Sequence, residues 1–460
     1  MLDPSAAPRG ALLARLALAL LAPLLLTATA HAHGGRPQTH DILFGDAAGS
    51  VIVAPATFGV LLTRDGGERW EWLCHQAVPD ARLGYTTPVA LSGDGALLVS
   101  GTFGLLRGPA LGCALSYEAD ALRDRFVTDV VTLGPSRIVA LTSDAGRANA
   151  LFASDDGGAS FAQLGAALPE RFLPERVRFA PSDPSRIYVS GVFPIEGSAD
   201  ALGAVLVSSD GGASWDRHEL ALAEDERHVQ VRAVDPTAPE RVWLIVQGDV
   251  IDSVRISEDG GASFRELLSM DALPGTGNRP FGLAYASDGS VWVGNTAEGL
   301  LRFAAAPSLR LSTLDKFLAV GCVVARGDEM WICADGLSDR EGDGFAVGRA
   351  RVEGDFAIEP VLVFSEIGPT TCEGSAATTC GPEWSDLLRD TGRESEIPDG
   401  GPPVDAASAA LDGGAELGFD AGAPARPGGG GCVCGVSRAD AHAPLVLSSL
   451  LVLALLRRRR

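Results

Sequence analysis

Residues 208–215 read SSDGGASW, and this octapeptide decides the fold because it recurs. The chain repeats it without gaps as TRDGGERW (63–70), SDDGGASF (154–161) and SEDGGASF (257–264), each fitting Ser/Thr-x-Asp-x-Gly-x-x-aromatic. With average residue usage such a match has a chance on the order of 10⁻⁵ per position, so four copies constitute a repeat. The chemistry suits a tight hairpin. Asp65, Asp156, Asp210 and Asp259 can accept backbone N–H bonds, the glycines supply positive φ, and Trp70, Phe161, Trp215 and Phe264 can cover the turn. These residues are expected to be structural.

The copies start at 63, 154, 208 and 257, so the first interval is about twice the others and should contain a unit without an intact copy. It does: TFGVLLTRDGG (57–67) has a degenerate echo in TFGLLRGPA (102–110), and another in NTAEGLLRFAA (295–305). The strands that enter these hairpins centre near Leu61, Leu105, Leu151, Leu206, Arg255, Leu300 and Ala346, giving seven units of about 44 to 55 residues. A second strand rich in β-branched and apolar residues precedes each, as in RIVALT, RIYVSG and RVWLIV. An innermost strand comes earlier still, joined to the second by Asp-Pro turns in VRFAPSDPSRIYVSG (177–191) and VRAVDPTAPERVWL (231–244). The sequence therefore predicts an all-β protein, a single seven-bladed β-propeller with four-stranded blades, over residues 33–367.

The octapeptide resembles the Asp box, or BNR repeat, of sialidases, sortilin-type receptors and photosystem assembly factors. The resemblance implies that the motif joins the outer two strands of a blade and acts in folding, not in catalysis. Sialidases add an arginine triad, a tyrosine nucleophile and an early Arg-Ile-Pro segment. That segment is absent, and Tyr188 and Tyr285 fall in predicted strands. Asp-box glycanases that cleave xyloglucan place a carboxylate on each of two facing propellers, an arrangement one propeller cannot reproduce. The leading expectation is a non-catalytic propeller that binds a protein, peptide or glycan. A sialidase-like glycoside hydrolase and an envelope assembly or docking factor are the alternatives.

Both ends read as addresses. Residues 1–32 have a basic start (Arg9, Arg15), an apolar run and Ala30-His31-Ala32, the pattern of a secretory signal peptide. Residues 432–460 hold Cys432 and Cys434, a short apolar run from Leu445 to Leu456 and four terminal arginines. This tail resembles the myxobacterial carboxy-terminal sorting signal, MYXO-CTERM. The resemblance implies cutting by a sorting protease near Cys432 or Cys434 and display at the outer membrane or cell surface. Between body and tail, 392–431 is rich in Pro, Gly, Ala and Asp and should form a stalk that buries no core.

Net charge is −22, and the basic ends make the body more negative still, so nucleic acid is an unsuitable partner. In an exported chain Cys74, Cys113, Cys322, Cys333, Cys372 and Cys380 should form disulfides. Six cysteines allow about 15 connectivities. Sequential pairing, Cys74 with Cys113, Cys322 with Cys333 and Cys372 with Cys380, is the expectation. Residues 368–391 would then be a disulfide clasp with a short helix, covered through Trp384 and Leu387. No CxxC pair exists, and the calcium-like loop at 339–344 lacks an acidic twelfth residue, since Ala350 stands there. No metal and no cofactor are expected.

In four-stranded blades the hairpins joining strands 1–2 and 3–4 share one face, so the Asp boxes lie below. The loops between blades and between strands 2 and 3 form the upper face, and they are the long ones here: 75–87, 165–176, 192–203, 220–228 and 335–344. Asp129, Arg176, Arg178, His228, Gln230, Arg232 and Arg279 open the innermost strands and should rim the central channel, where an anionic ligand would meet several arginines.

Overall fold

The computed structural model describes residues 38–78, 87–198, 200–271, 281–334, 344–373, 375–390 and 393–397. Residues 1–32, read above as a signal peptide, residues 392–431, read as a stalk, apart from 393–397, residues 432–460 with Cys432 and Cys434, read as a sorting signal, Arg279 and residues 339–343 lie outside them.

Seven β-sheets form a seven-bladed β-propeller, and each blade takes its antiparallel strands from one continuous stretch of chain. Blade 4 shows the pattern. Its strands Leu173–Ala180, Asp183–Pro194, Ala201–Ser208 and Asp216–Leu220 pair in sequence order from the centre outward. The second strands Ile52–Ala56, Ile138–Thr142 and Val242–Gly248 are buried at every residue, and the middle of Asp183–Pro194 is too. A blade's middle strand is covered by a neighbouring blade on each face, so it reads as an unbroken apolar run. Fourth strands such as Asp216–Leu220 face solvent and carry polar residues, whereas that of blade 1, Trp70–Cys74, is largely buried.

The core therefore lies between blades. Leu98 and Leu105 of blade 2 pack with Ile138 and Phe152 of blade 3. Val139 and Leu151 of blade 3 pack with Ile187 and Leu206 of blade 4. The series continues with Val205 against Leu244, Trp243 against Val293, and Trp292 against Ile332. One cluster then joins blade 7 to blades 1 and 2 and to the helix Ser375–Asp390.

Each intact octapeptide builds the same hairpin. Ser208 Oγ bonds Asp210 Oδ1 at 2.7 Å and accepts the Gly212 N–H at 2.8 Å, while Asp210 accepts from Ser214 N–H and Oγ. Gly211 and Gly212 have φ of 73° and 93°, which favours glycine. Trp215 Nε1 donates to Ala166 O of blade 3, and Trp70 Nε1 to Val361 O of blade 7. The aromatic residue thus staples its hairpin to the preceding blade, a role beyond covering its own turn.

Blades 1 and 2 depart from the pattern in complementary ways. In blade 2 three strands pair fully, and the outer strand is reduced to a bridge between Arg107 and Ser116. Blade 1 gains a fifth strand, Ile367–Pro369, parallel to Trp70–Cys74. The helix Ser375–Asp390 packs alongside, with Trp384 against Trp72 at 6.0 Å between ring centroids and Leu387 buried.

Two disulfides fix this region, and they correct the sequential expectation: Cys74 pairs with Cys380, and Cys113 with Cys372. The physical reason is where the C-terminal segment lands. It lies across the outer edges of blades 1 and 2, so its two cysteines face one partner on each blade. Cys322 and Cys333 pair as expected, since they sit directly opposite in adjacent strands. Thr39 joins the ring's ends from the other side, pairing with Ala56 of blade 1 and donating to Ala346 O of blade 7.

Candidate functional site

The innermost strands of blades 3, 4 and 5 share an irregularity. Each has a register break near its start, between Val127 and Asp129, Pro174 and Arg176, and Glu226 and His228. Such bulges add a residue to one strand and re-aim the side chains beside it. Arg232 sits in a second bulge, between Val231 and Ala233.

The result is a polar cavity of ≈ 180 Å³ in the central channel, with all seven blades contributing to its wall. Arg176, Arg178, Arg232 and Asp129 line it, together with His40 and Asp41 from the segment leading into blade 1. Val89, Phe281, Leu283 and Val323 supply apolar wall.

Asp129 is the hub. Its Oδ2 accepts from Arg178 Nη1 at 2.9 Å and from the Val177 N–H at 2.9 Å, and its Oδ1 lies 3.4 Å from Arg176 Nη1. Arg178 Nε donates to Arg232 O at 3.1 Å, and the Arg232 guanidinium donates to Phe281 O across the next blade boundary. Arg176 Nε is buried with no hydrogen-bond partner among the described residues.

The ionisable groups feel this crowding. Burial lowers Arg232 to about 9, and the nearby charges of Arg176 and Arg178 act in the same direction. His40 is lowered to about 4, first by burial and then by Arg176, so it is neutral at pH 7. Burial raises the Asp41 carboxyl, while the Ile42 N–H and the three arginines pull the other way.

Of the residues expected at the rim, Asp129, Arg176, Arg178 and Arg232 meet in this cavity. His228 does not line it; its Nδ1 lies 3.1 Å from Glu175 Oε1. Gln230 is fully buried, with its Nε2 3.4 Å from Gln247 Oε1 on the next strand. The sequence reading missed His40 and Asp41, because the innermost strand of blade 1 is the dipeptide Leu43–Phe44, too short to show alternation. Their offset from VIVAPA, compared with that of the inner strands in other blades, was the available signal. Among the described residues no group of His, Cys, Asp and Glu is arranged to hold a metal ion.

Around the channel the upper face carries exposed apolar side chains. Phe103, Ile195 and Val250 occupy loops between second and third strands, Ile251 opens the third strand of blade 5, and Phe317, 83% exposed, lies between blades 6 and 7. Leu133 and Leu311 are the corresponding residues on the lower side.

No protein-family model matches the chain, and no curated protein matches it. Solved structures resemble it in fold. A GH74 enzyme from Niastella koreensis is 14% identical over 71% of this chain and 66% of its own, with a TM-score of 0.38. An ancestral GH74 enzyme is 13% identical over 71% and 47%, with a TM-score of 0.49. YCF48 bound to a D1 peptide is 18% identical over 65% and 88%, with a TM-score of 0.43. The chain thus spans less than two thirds of the length of both GH74 structures. These neighbours include enzymes and a peptide-binding protein, and the likeness concerns the β-propeller fold alone.

Proposed function

We propose that this protein is a non-catalytic docking propeller that binds a partner protein or peptide through its upper face. The observation that carries the reading is the distribution of exposed apolar residues. Five of the seven large apolar side chains exposed among the described residues lie at the upper end of the blades. Exposed apolar side chains concentrated at one end of the blades are surface that a protein contact would bury. The channel chemistry supports binding over hydrolysis, since Asp129 is already held by Arg176, Arg178 and a backbone N–H. A two-carboxylate glycosidase needs both groups available for proton transfer or attack.

Three disulfides are consistent with an extracellular protein. In this reading the four hairpins are Asp boxes that brace the blades, a signal peptide exports the chain, and processing at Cys432 or Cys434 holds it on the cell surface. Changing both cysteines to Ser should release the protein to the medium; normal retention would refute the anchor.

Affinity capture from envelope extracts tests the docking reading. A specific partner should be retained by the intact protein and by a variant with Leu133 and Leu311 changed to Ser. It should be lost when Phe103, Ile195, Val250 and Phe317 are changed to Ser together. Equal retention by both variants would sink the proposed face.

A further inference from the structure

We infer that the groove between blades 6 and 7 accepts one uncharged aromatic side chain, of the size of Phe or Trp, from the docked partner protein. This deepens the docking reading by naming the residue class that anchors the partner. It rests on that reading for the partner, whereas the groove itself is tested with a small probe.

The chain shows at its own blade boundaries what such a place holds. Trp70, Phe161, Trp215 and Phe264 each leave their hairpin and pack against the preceding blade. Trp70 and Trp215 also donate to a carbonyl in or just beyond that blade's outer strand, Val361 O and Ala166 O. Blade 7 carries no octapeptide to do this. The aromatic residue of its corresponding hairpin, Phe356, packs instead on Trp292 of blade 6's second strand, with 5.8 Å between ring centroids. Space beside blade 6's outer strand, Leu311–Asp315, is therefore left over. It forms a cavity of ≈ 380 Å³ lined mainly by Leu314, Leu318, Phe345, Phe356 and Ile358. Phe317 stands at its lip and is also the most exposed of the upper-face apolar residues, so the groove continues the docking face.

The lining selects the occupant. Asp315 is the one charged residue among the described lining residues, and its Oδ1 already accepts the Phe317 N–H at 2.8 Å. Burying a charge among Leu, Ile and Phe side chains is costly, which favours a neutral group. Phe317, Phe345 and Phe356 offer ring edges and faces, and aromatic pairs gain from these contacts beyond the area they bury. Protein interfaces concentrate their binding energy in such pocket-filling aromatic anchors.

The test uses the full-length protein with indole as probe. Indole should raise the unfolding midpoint with saturable dependence, and n-butylammonium at equal concentration should not. Ala357 lines the groove, so Ala357→Trp should fill it from within, as the hairpin aromatics do elsewhere. It should weaken the indole response at least about tenfold. No saturable indole response, an equal response to butylammonium, or an undiminished indole response in folded A357W would overturn the site. Should A357W fail to fold, a photoreactive indole on the wild type decides: adducts should fall on Phe317, Phe345, Phe356 or Ile358, and labelling elsewhere refutes the groove. Partner capture from envelope extracts should then drop at least about tenfold with A357W or with excess indole. Undiminished capture, in protein that binds indole, overturns the anchor and leaves docking standing. No captured partner with the wild type overturns docking and the partner as the source of the ring, while indole binding lost in A357W still upholds the groove.

Discussion

Asp129 of blade 3 meets Arg178 of blade 4 at 2.9 Å across the blade boundary, and the same carboxylate oxygen takes the Val177 N–H from the neighbouring strand edge. One side chain thus closes an interblade seam and restrains two channel arginines. Asp129→Ala should strand Arg176 and Arg178 in a half-buried site, at a cost of about 3–5 kcal/mol. Denaturant unfolding would measure it. A loss below about 1 kcal/mol would place the pair among weak surface contacts.

The hairpin carboxylates should act on stability and leave binding alone. Asp65, Asp156, Asp210 and Asp259 are all held down to about 2, mainly by side-chain hydrogen bonds from Arg69, Ser160, Ser214 and Ser263 respectively. A depressed folded-state value means stability that is present above the unfolded value of 3.8 and lost as pH falls towards 2. Asp210→Ala should lower the unfolding midpoint at pH 7, with most of the deficit gone by pH 2. A deficit that stays undiminished at pH 2 would contradict this assignment.

His40 gives a second acid window. Its folded value is about 4 against 6.5 when unfolded, so the unfolded chain takes up the proton first and stability falls as pH drops from 6.5 to 4. The shift corresponds to at most about 3 kcal/mol. His40→Gln should flatten the stability profile between those pH values. An unchanged slope would show that His40 is hydrated in the folded protein.

The long-range disulfides should matter more than the short one. Cys74–Cys380 and Cys113–Cys372 span 306 and 259 residues, whereas Cys322–Cys333 spans 11. Loop-closure entropy grows with loop length, so replacing either long-range pair by Ser should cost roughly 4–5 kcal/mol and the short pair less. Non-reducing peptide mapping checks the connectivity directly. A Cys74–Cys113 peptide would contradict the clasp.

The hairpins were legible because their information is local. Ser208, Asp210, Gly212 and Ser214 complete a hydrogen-bonded unit within one octapeptide, so identity and spacing sufficed. Blade number followed from the buried second strands, whose apolar runs recur at blade spacing. Cys322 and Cys333 were readable for the same reason, as cross-strand neighbours in one hairpin. Cys74 and Cys380 were not, because their contact depends on where a segment some 300 residues later docks. The channel was half legible. Arginines on inner strands could be named, but the bulges that turn Arg176 and Arg232 into one cavity arise from sheet register, which pattern alone does not reveal. His40 joins them through ring closure, a property of the whole fold.

The most direct measurement is site-specific photocrosslinking in living cells, with the photoreactive residue placed in turn at Phe317 and Phe103 above and at Leu133 and Leu311 below. The account predicts one discrete crosslinked partner from the two upper positions and none from the lower ones. Crosslinks from the lower positions alone, or equally from both faces, would contradict it.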